Sequence, residues 1–593
     1  MKSKLNILFI TLFYNILNIN SSKCQTVYYV DSSVPNNSSN GLSWINAKKD
    51  IQDAIKIANT GDEIWVKAGI YKPTETPYQT TDSPRNFTFY VKSGVSIYGG
   101  FSGTETLREQ RDFVNNTTVL SGDIGLENYE NDNCFHVILA SASSGSSLGV
   151  KIDGFTIKGG YSNSGRYINI NGNDIFDYGG GIALYNGRNN ISNNIIVGCS
   201  ALMGGGLFMI RGQNTIFNNK IIDNKTFIDR NGSGGYGGGL YTQDCSSLIN
   251  NNLFTNNLGA WGAAVSLYNG NNQMENNTIK ENIASNSGGG IYIDNGVNNI
   301  KNNLISKNSA YNGAGLNLLG NTSTLLNKNI LSENNASNLG GGIYTYSANL
   351  EIYNNLFVSN SALRGGGILS NATTSIINNT FVNNNASVVG GGLFMTYANF
   401  TLFNNIFWNN KINNQNNLFG ADVYDYFYFS NSDIRSNLLQ LSSENYNIGP
   451  NPKGNLFLLN PQFLNINDFL GPDNIFFTAD DGLQIQTNSP AKNSGNITLL
   501  PTNLTTDITG SSRIQENIVD MGAYEFKNPC PTTLSIPTGE GNSGVFLASG
   551  YIQSSATVAN PTIYSSSKAI ILNPGFQVIT NRNFTAIIEG CTN

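Results

Sequence analysis

The chain of 593 residues contains one histidine, His136, in the segment Asn133-Cys134-Phe135-His136-Val137. A zinc site built from several imidazoles is therefore excluded, and a Ser-His-Asp relay, which would have to use His136, is unsupported. A lone histidine beside apolar neighbours reads first as a packing residue. What remains for acid and base work is carboxylate, arginine and lysine chemistry. Arg211 and Asp244 each stand five residues after a glycine cluster, so in a stacked architecture they lie one layer apart, about 4.8 Å. An insertion at 225–231 brings Arg230 close by. This set is either an acid-and-base cleft under a loop or a surface ion pair beside an ordinary insertion. Asp473, Asp480 and Asp481 could hold calcium through loop carboxylates, although their spacing is not that of an EF-hand. No other cofactor is indicated.

The elements that position these groups come from a repeat. Glycine clusters followed by an aliphatic residue end at positions 181, 206, 239, 264, 290, 315, 342, 367 and 392, in steps of 25, 33, 25, 26, 25, 27, 25 and 25 residues. A period held this tightly describes stacked units rather than a globular core. Helical repeats are excluded, because each unit is rich in Gly, Asn, Ser, Thr and β-branched residues and lacks apolar spacing at three and four. Apolar residues alternate instead, as in Leu207/Met209, Ile291/Ile293 and Leu316/Leu318, the mark of a strand with one buried face.

A second strand is expected about ten residues on. It carries an Asn pair, such as Asn193-Asn194, Asn218-Asn219 or Asn327-Lys328, with apolar residues two positions before and after. A further turn Asn recurs at Asn224, Asn257, Asn282, Asn308, Asn334, Asn360, Asn384 and Asn410. Short strands separated by Gly and Asn turns, each coil lying on the one before, give an all-β parallel β-helix whose Asn columns hydrogen-bond along the stack. Alternation then places Phe208, Tyr241, Tyr292, Tyr344 and Phe394, two residues past the clusters, on the outer face. Tyr185, Tyr268 and Tyr346, four residues past, share it. Such a stripe suits the stacking of sugar rings along an extended polymer. Equally, the rings could stack on one another as a stabilising ladder.

Residues 1–24 carry Lys2 and Lys4, an apolar run from Ile7 to Phe13 and then polar residues, the pattern of a secretory signal. Cys24 is a lipidation candidate, with Lys23 a poor residue before it. Residues 25–153 read as a cap and first coils. Ile51, Ala54, Ile55 and Ala58 lie on one face of a helix that could cover the open end. Residues 154–527 form the repeats and closing coils, and 530–593 a small β module. Cys530 and Cys591 bracket this module, and in an exported chain a bridge between them would fasten it. Cys134, Cys199 and Cys245 read as buried small side chains.

Several motifs resemble secreted bacterial right-handed β-helix proteins of the pectin-lyase-like superfamily. They are Tyr28-Tyr29-Val30-Asp31, Gly41-Leu42-Ser43-Trp44, the stretch from Gly61 to Tyr71, Tyr98-Gly99-Gly100-Phe101, and the repeat entry Asp153-Gly154-Phe155-Thr156-Ile157. Asp520-Met521-Gly522-Ala523-Tyr524-Glu525-Phe526 resembles the close of choice-of-anchor Q domains, and the final module resembles small β-stack modules at the C-terminal ends of secreted Bacteroidetes-type proteins. The resemblance spans roughly residues 28–527 and implies a right-handed coil and a polysaccharide partner. Cleaving relatives use facing carboxylates, or an Arg or Lys base with calcium. The Gly-His-Gly turn and Arg-Ile-Lys segment of the polygalacturonase type are missing from this sequence.

Charged residues make up only 12% of the chain and the net charge is −6, which argues against a nucleic-acid surface. No segment beyond the leader is long and apolar enough to cross a bilayer as a helix. Two functions follow from these features. One is a secreted or surface-displayed glycan-binding or adhesive protein that uses the aromatic face. The other is a polysaccharide lyase or glycoside hydrolase working near Arg211, Asp244 and Arg230.

Overall fold

A computed structural model describes residues 25–526 except 78–82, 166, 347–348, 397–399, 417, 419, 426–432, 441–453, 479 and 516. Beyond 526 it describes residues 533–536, 544–548, 551–558, 562–566, 568–580 and 583–587. The leader with Cys24, and both Cys530 and Cys591, lie outside the described residues. Two units are distinguished. One comprises Met1–Ser375, Phe381–Phe400 and Asn409–Ser432; the other comprises Ile376–Thr380, Thr401–Trp408 and Asp433–Asn593.

In the first unit each coil from Ile182 onward contributes to three parallel sheets. The coil that begins at Leu240 is representative: Leu240–Asn250 lies in the first sheet, Leu253–Thr255 in the second, Leu258–Trp261 in the third, and Val265–Glu275 opens the next coil. Each strand pairs in parallel with its equivalent one coil on, as in Leu240↔Val265, Leu253↔Thr278 and Leu258↔Ile283. The glycine cluster is the corner between the third sheet and the first. Its first residue takes a left-handed backbone (Gly365, φ 68°), where a Cβ would also meet Ile368 O at 2.7 Å. The next aliphatic residue then turns inward, and Ile182, Leu207, Leu240, Val265, Ile291, Leu316, Ile343, Ile368 and Leu393 form a fully buried row.

The Asn pair does not lie within a strand. Arg188–Ser192 belongs to the first sheet and Ile195–Val197 to the second, and Asn193-Asn194 is the corner between them. The first residue of each pair adopts positive φ (Asn193 56°, Asn218 54°, Asn276 56°) and so ends the strand. The second residue points inward and builds a ladder: Asn194, Asn219, Asn252, Asn277, Asn303, Asn329 and Asn355 are joined by Nδ2–H···Oδ1 bonds of 2.9–3.1 Å. The pair read at Asn327-Lys328 is thus one residue early. Lys328 holds the left-handed turn (φ 58°) and Asn329 the ladder position. The second ladder, Asn224 to Asn410, runs through all eight expected residues at 2.9–3.2 Å.

The cap helix spans Ile51–Ile57, and its Ile51, Ala54 and Ile55 are buried together with Ala58. In the entry motif the Asp153 carboxylate accepts hydrogen bonds from Arg111 (2.5 Å), Ser192 (2.8 Å) and Asn193 (3.0 Å), tying the cap to the first repeats. Cys134, Cys199 and Cys245 are buried free thiols. In the second unit the C-terminal module is a small solenoid of its own. Thr533–Ile536, Tyr551–Ser554 and Ala569–Leu572 stack in parallel, as do Gly544–Ala548, Thr562–Ser566 and Phe584–Ile587, around Ile552, Ala556 and Tyr564.

Candidate functional site

The expected aromatic positions do form two outward rows on the first sheet. One runs Leu139, Ala183, Phe208, Tyr241, Ser266, Tyr292, Asn317, Tyr344, Leu369, Phe394. The other includes Tyr185, Ile210, Gln243, Tyr268 and Asp294. Most of these rings, however, are not offered to solvent. Tyr185, Phe208, Tyr241, Tyr292 and Phe394 are buried, Tyr268 and Tyr344 are half-buried, and Tyr346 alone is exposed, at 49%. The expectation of one continuous solvent-facing stripe is corrected accordingly.

Two features cover the rings. The residue just before each glycine cluster supplies a third outward column, Tyr178, Met203, Tyr236 and Trp261. Its rings lock with the first row: Tyr178–Phe208 at 4.9 Å, Phe208–Tyr241 stacked at 5.5 Å, Tyr236–Trp261 stacked at 4.6 Å and Tyr236–Tyr292 at 5.9 Å. In addition, an antiparallel hairpin, Ile168–Ile170 and Asn173–Ile175, lies over this end of the sheet and packs Ile170 and Ile175 against Leu139, Ala183, Tyr185 and Phe208. Asn173 fastens it, donating to Ser141 Oγ and Ala142 O at 2.9 Å and accepting from Asn186 at 2.8 Å. Burial pushes the Tyr241 and Tyr292 hydroxyls above their ordinary pKa.

Arg211 and Asp244 do stack one coil apart, with the Arg211 N–H donating to Gln243 O at 2.9 Å. They occupy a bend column inside the first sheet that other coils fill with Asn186, Asn269 and Asn295, all at positive φ. No ion pair joins the two. Arg211 donates to Asn173 Oδ1 (3.1 Å) and Asp244 accepts from Asn269 (3.0 Å). Arg230 is exposed in a separate loop beyond the third sheet, where Asp229 is taken up by the backbone N–H groups of Asn231 and Ser233. These groups therefore do not converge as a catalytic set. Asp473, Asp480 and Asp481 also face their own turn. Asp473 accepts from Ile475 N–H, Asp480 from Thr478 Oγ, and Asp481 from Phe477 N–H and from the Tyr524 hydroxyl at 2.9 Å. Among the described residues, no group of three His, Cys, Asp or Glu side chains is arranged to hold a metal ion.

Two concavities stand out on the first unit. A shallow groove of about 480 Å³ crosses the second half of the first sheet, lined by Gln213, Thr215, Ser246, Asn271 and Gln273 among others. A larger cleft of about 690 Å³ opens beside the hairpin, between Arg85, Phe135, His136, Asn163, Tyr167, Phe176 and Asp177. His136 is buried there with Nδ1 3.0 Å from Gly179 O, and burial lowers its pKa so that the ring stays neutral. The sequence reading missed this cleft. Its one local signal is Asn171-Gly172, a two-residue hairpin turn between alternating residues.

The family model described as "Right handed beta helix region" matches residues 161–331 and 238–412. Among solved structures, the chain is similar to pectate lyase Pel9A (15% identity, 85% of this chain and 97% of that one, TM-score 0.38). It is also similar to the PL6 family alginate lyase AlyGC (13%, 95% and 71%, 0.36) and to a rhamnogalacturonan lyase (12%, 78% and 97%, 0.27). No curated protein matches the sequence. At these TM-scores the superpositions bear on no residue or activity. The stacked parallel sheets and the family-model match together define a right-handed parallel β-helix protein. Among the described residues, no helix is long and apolar enough to cross a membrane.

Proposed function

We propose that this is a glycan-binding or adhesive protein of the cell exterior, secreted or held at a bacterial surface, whose contact surface is the outer face of the first sheet. The observation that carries the reading is the surviving part of the aromatic rows. Tyr268, Tyr344 and Tyr346 remain wholly or partly open on that face, and the coils from Arg188 to Gln273 add an amide- and hydroxyl-lined groove to the same sheet. Rings between amides match a sugar polymer, since a pyranose has an apolar face for the ring and hydroxyls for Asn, Gln and Ser. The buried rings beneath act as a stiff foundation, so little ordering entropy is lost on binding. Export rests on the leader at residues 1–24, and the C-terminal solenoid is assigned to attachment or export. No cofactor is required, and binding is expected to survive chelation of calcium.

The test is affinity electrophoresis of the full chain through gels containing pectin, alginate or host glycans, with Tyr344→Ala and Tyr346→Ala alongside. Retardation that falls roughly three- to tenfold in each variant supports the surface. Release of unsaturated product, lost in Arg211→Ala and Asp244→Ala, would instead establish the lyase alternative.

A further inference from the structure

We propose that the cleft beside the hairpin binds a neutral pyranose unit, which stacks on Tyr167 and Phe176 and is hydrogen-bonded by Arg85 and Asp177. The proposal rests on the glycan reading above and adds to it a defined subsite and a ligand charge. At about 690 Å³ the cleft is within the usual range of small-ligand sites, roughly 300–1,000 Å³.

Its aromatic wall is uncovered. Tyr167 is 63% exposed and Phe176 40% exposed, with ring centroids 5.5 Å apart and planes tilted by 35°. These rings head the same chain of contacts that continues through Tyr178 to Phe208, so the platform is continuous with the buried foundation. Exposed rings in a fixed position gain more from a sugar face than from water.

The polar wall is already ordered. Arg85 donates through Nε to Asn133 O (2.7 Å) and through Nη2 to Tyr161 O (2.7 Å) and Asn163 Oδ1 (2.6 Å), with its guanidinium 4.2 Å from the Phe135 ring centroid. Nη1 makes no hydrogen bond among the described residues. Asp177, 4% exposed, accepts on Oδ1 from Ser162 Oγ and from the N–H and Oγ of Ser164. Among the described residues its Oδ2 accepts from Gly165 N–H alone, leaving a lone pair. A rigid cation with spare donors and a rigid carboxylate with a spare acceptor, both anchored on residues 161–165, suit adjacent sugar hydroxyls. Among the described lining residues their charges cancel, and the buried His136 adds none. A uronate would bring a second carboxylate against Asp177, so an acidic sugar is disfavoured.

The test is isothermal titration calorimetry of the full chain with cellohexaose, mannohexaose and hexagalacturonate, for the native protein, Tyr167→Ala, Asp177→Asn and Tyr346→Ala, each checked for fold by circular dichroism. The proposal expects saturable binding of a neutral hexasaccharide, weakened roughly tenfold by Tyr167→Ala. It also expects hexagalacturonate to bind at least tenfold more weakly than the neutral sugar, with Asp177→Asn narrowing that gap. Because Tyr167 is a surface residue, its replacement tests contact and not folding. Binding that ignores Tyr167→Ala but falls in Tyr346→Ala would overturn the cleft while leaving the surface reading intact. Tighter binding of hexagalacturonate to the native protein would overturn the charge argument. Absence of binding by either neutral sugar would overturn the proposal itself.

Discussion

The replacement Asn308→Ala asks how much one rung of an asparagine ladder contributes. Asn308 is fully buried; its Oδ1 accepts the backbone N–H of Asn282 (3.1 Å) and that residue's Nδ2 (2.9 Å), while its own Nδ2 donates to Ile279 O (2.9 Å) and Asn334 Oδ1 (3.0 Å). The left-handed backbone of this corner belongs to Lys307, at φ 55°. Alanine therefore fits the chain, and the change is confined to side-chain bonds. Asn282 Nδ2 keeps carbonyl partners at Phe254 and Lys280, but the Asn282 N–H is left buried without an acceptor and Ile279 O loses a donor. At roughly 1–3 kcal/mol for each such group, the local cost is about 3 kcal/mol. That corresponds to roughly two orders of magnitude in the opening equilibrium. A repeat array need not unfold in one step, so the assay is native-state hydrogen exchange on peptides covering Asn282. Exchange roughly 100-fold faster there, fading within two coils, is expected. Protection unchanged within threefold would refute the idea that these bonds hold the corner.

Other expectations concern charge. Burial raises Asp481 to about 6 although Tyr524 and two backbone N–H groups donate to it. A carboxyl with a raised folded pKa contributes stability that is present below the unfolded pKa near 4 and lost as pH climbs through 6. Proteolysis of the segment around it should accordingly quicken between about pH 4 and pH 6 and level off above that, and Asp481→Asn should remove that dependence. Asp153 runs the other way: the Arg111 guanidinium and its hydrogen bonds hold its pKa below the ordinary carboxylate range despite burial. Its contribution is present above the unfolded pKa and disappears in acid. Asp153→Ala, which strands a buried Arg111, should cost roughly 3–5 kcal/mol in thermal or urea unfolding of the cap. The paired change Arg211→Asn and Asp244→Asn puts into the bend column the residue other coils use there, so stability should hold within about 1 kcal/mol. Glycan retardation should not change, and a loss of it would restore these two as functional groups.

The repeat was legible because its geometry forces residue choice. Left-handed corners call for Gly or Asn, and a close-packed interior calls for an aliphatic at the first inward position after each glycine cluster, so Ile182 through Leu393 could be placed from spacing alone. The Asn pairs misled as to strand count because a corner of two residues leaves the apolar alternation on either side looking unbroken. Only the positive φ of the first Asn separates the sheets. The outward direction of Phe208 and Tyr241 was readable from alternation. Their burial was not, because it depends on Tyr178, Tyr236 and Trp261 from neighbouring corners and on a hairpin inserted before the repeats. The cleft was still less visible. Arg85, His136 and Asp177 come from three separate coils and no local pattern links them, although Asn171-Gly172 announces the hairpin that brings them to one opening.

The most direct measurement is a crystal structure of the full chain grown with a neutral hexasaccharide. Sugar density on the outer face of the first sheet, with one ring against Tyr167 and Phe176 or along Tyr268, Tyr344 and Tyr346, is the result expected here. Sugar bound to the third sheet, or rings on the first sheet left bare at saturating ligand, would contradict it.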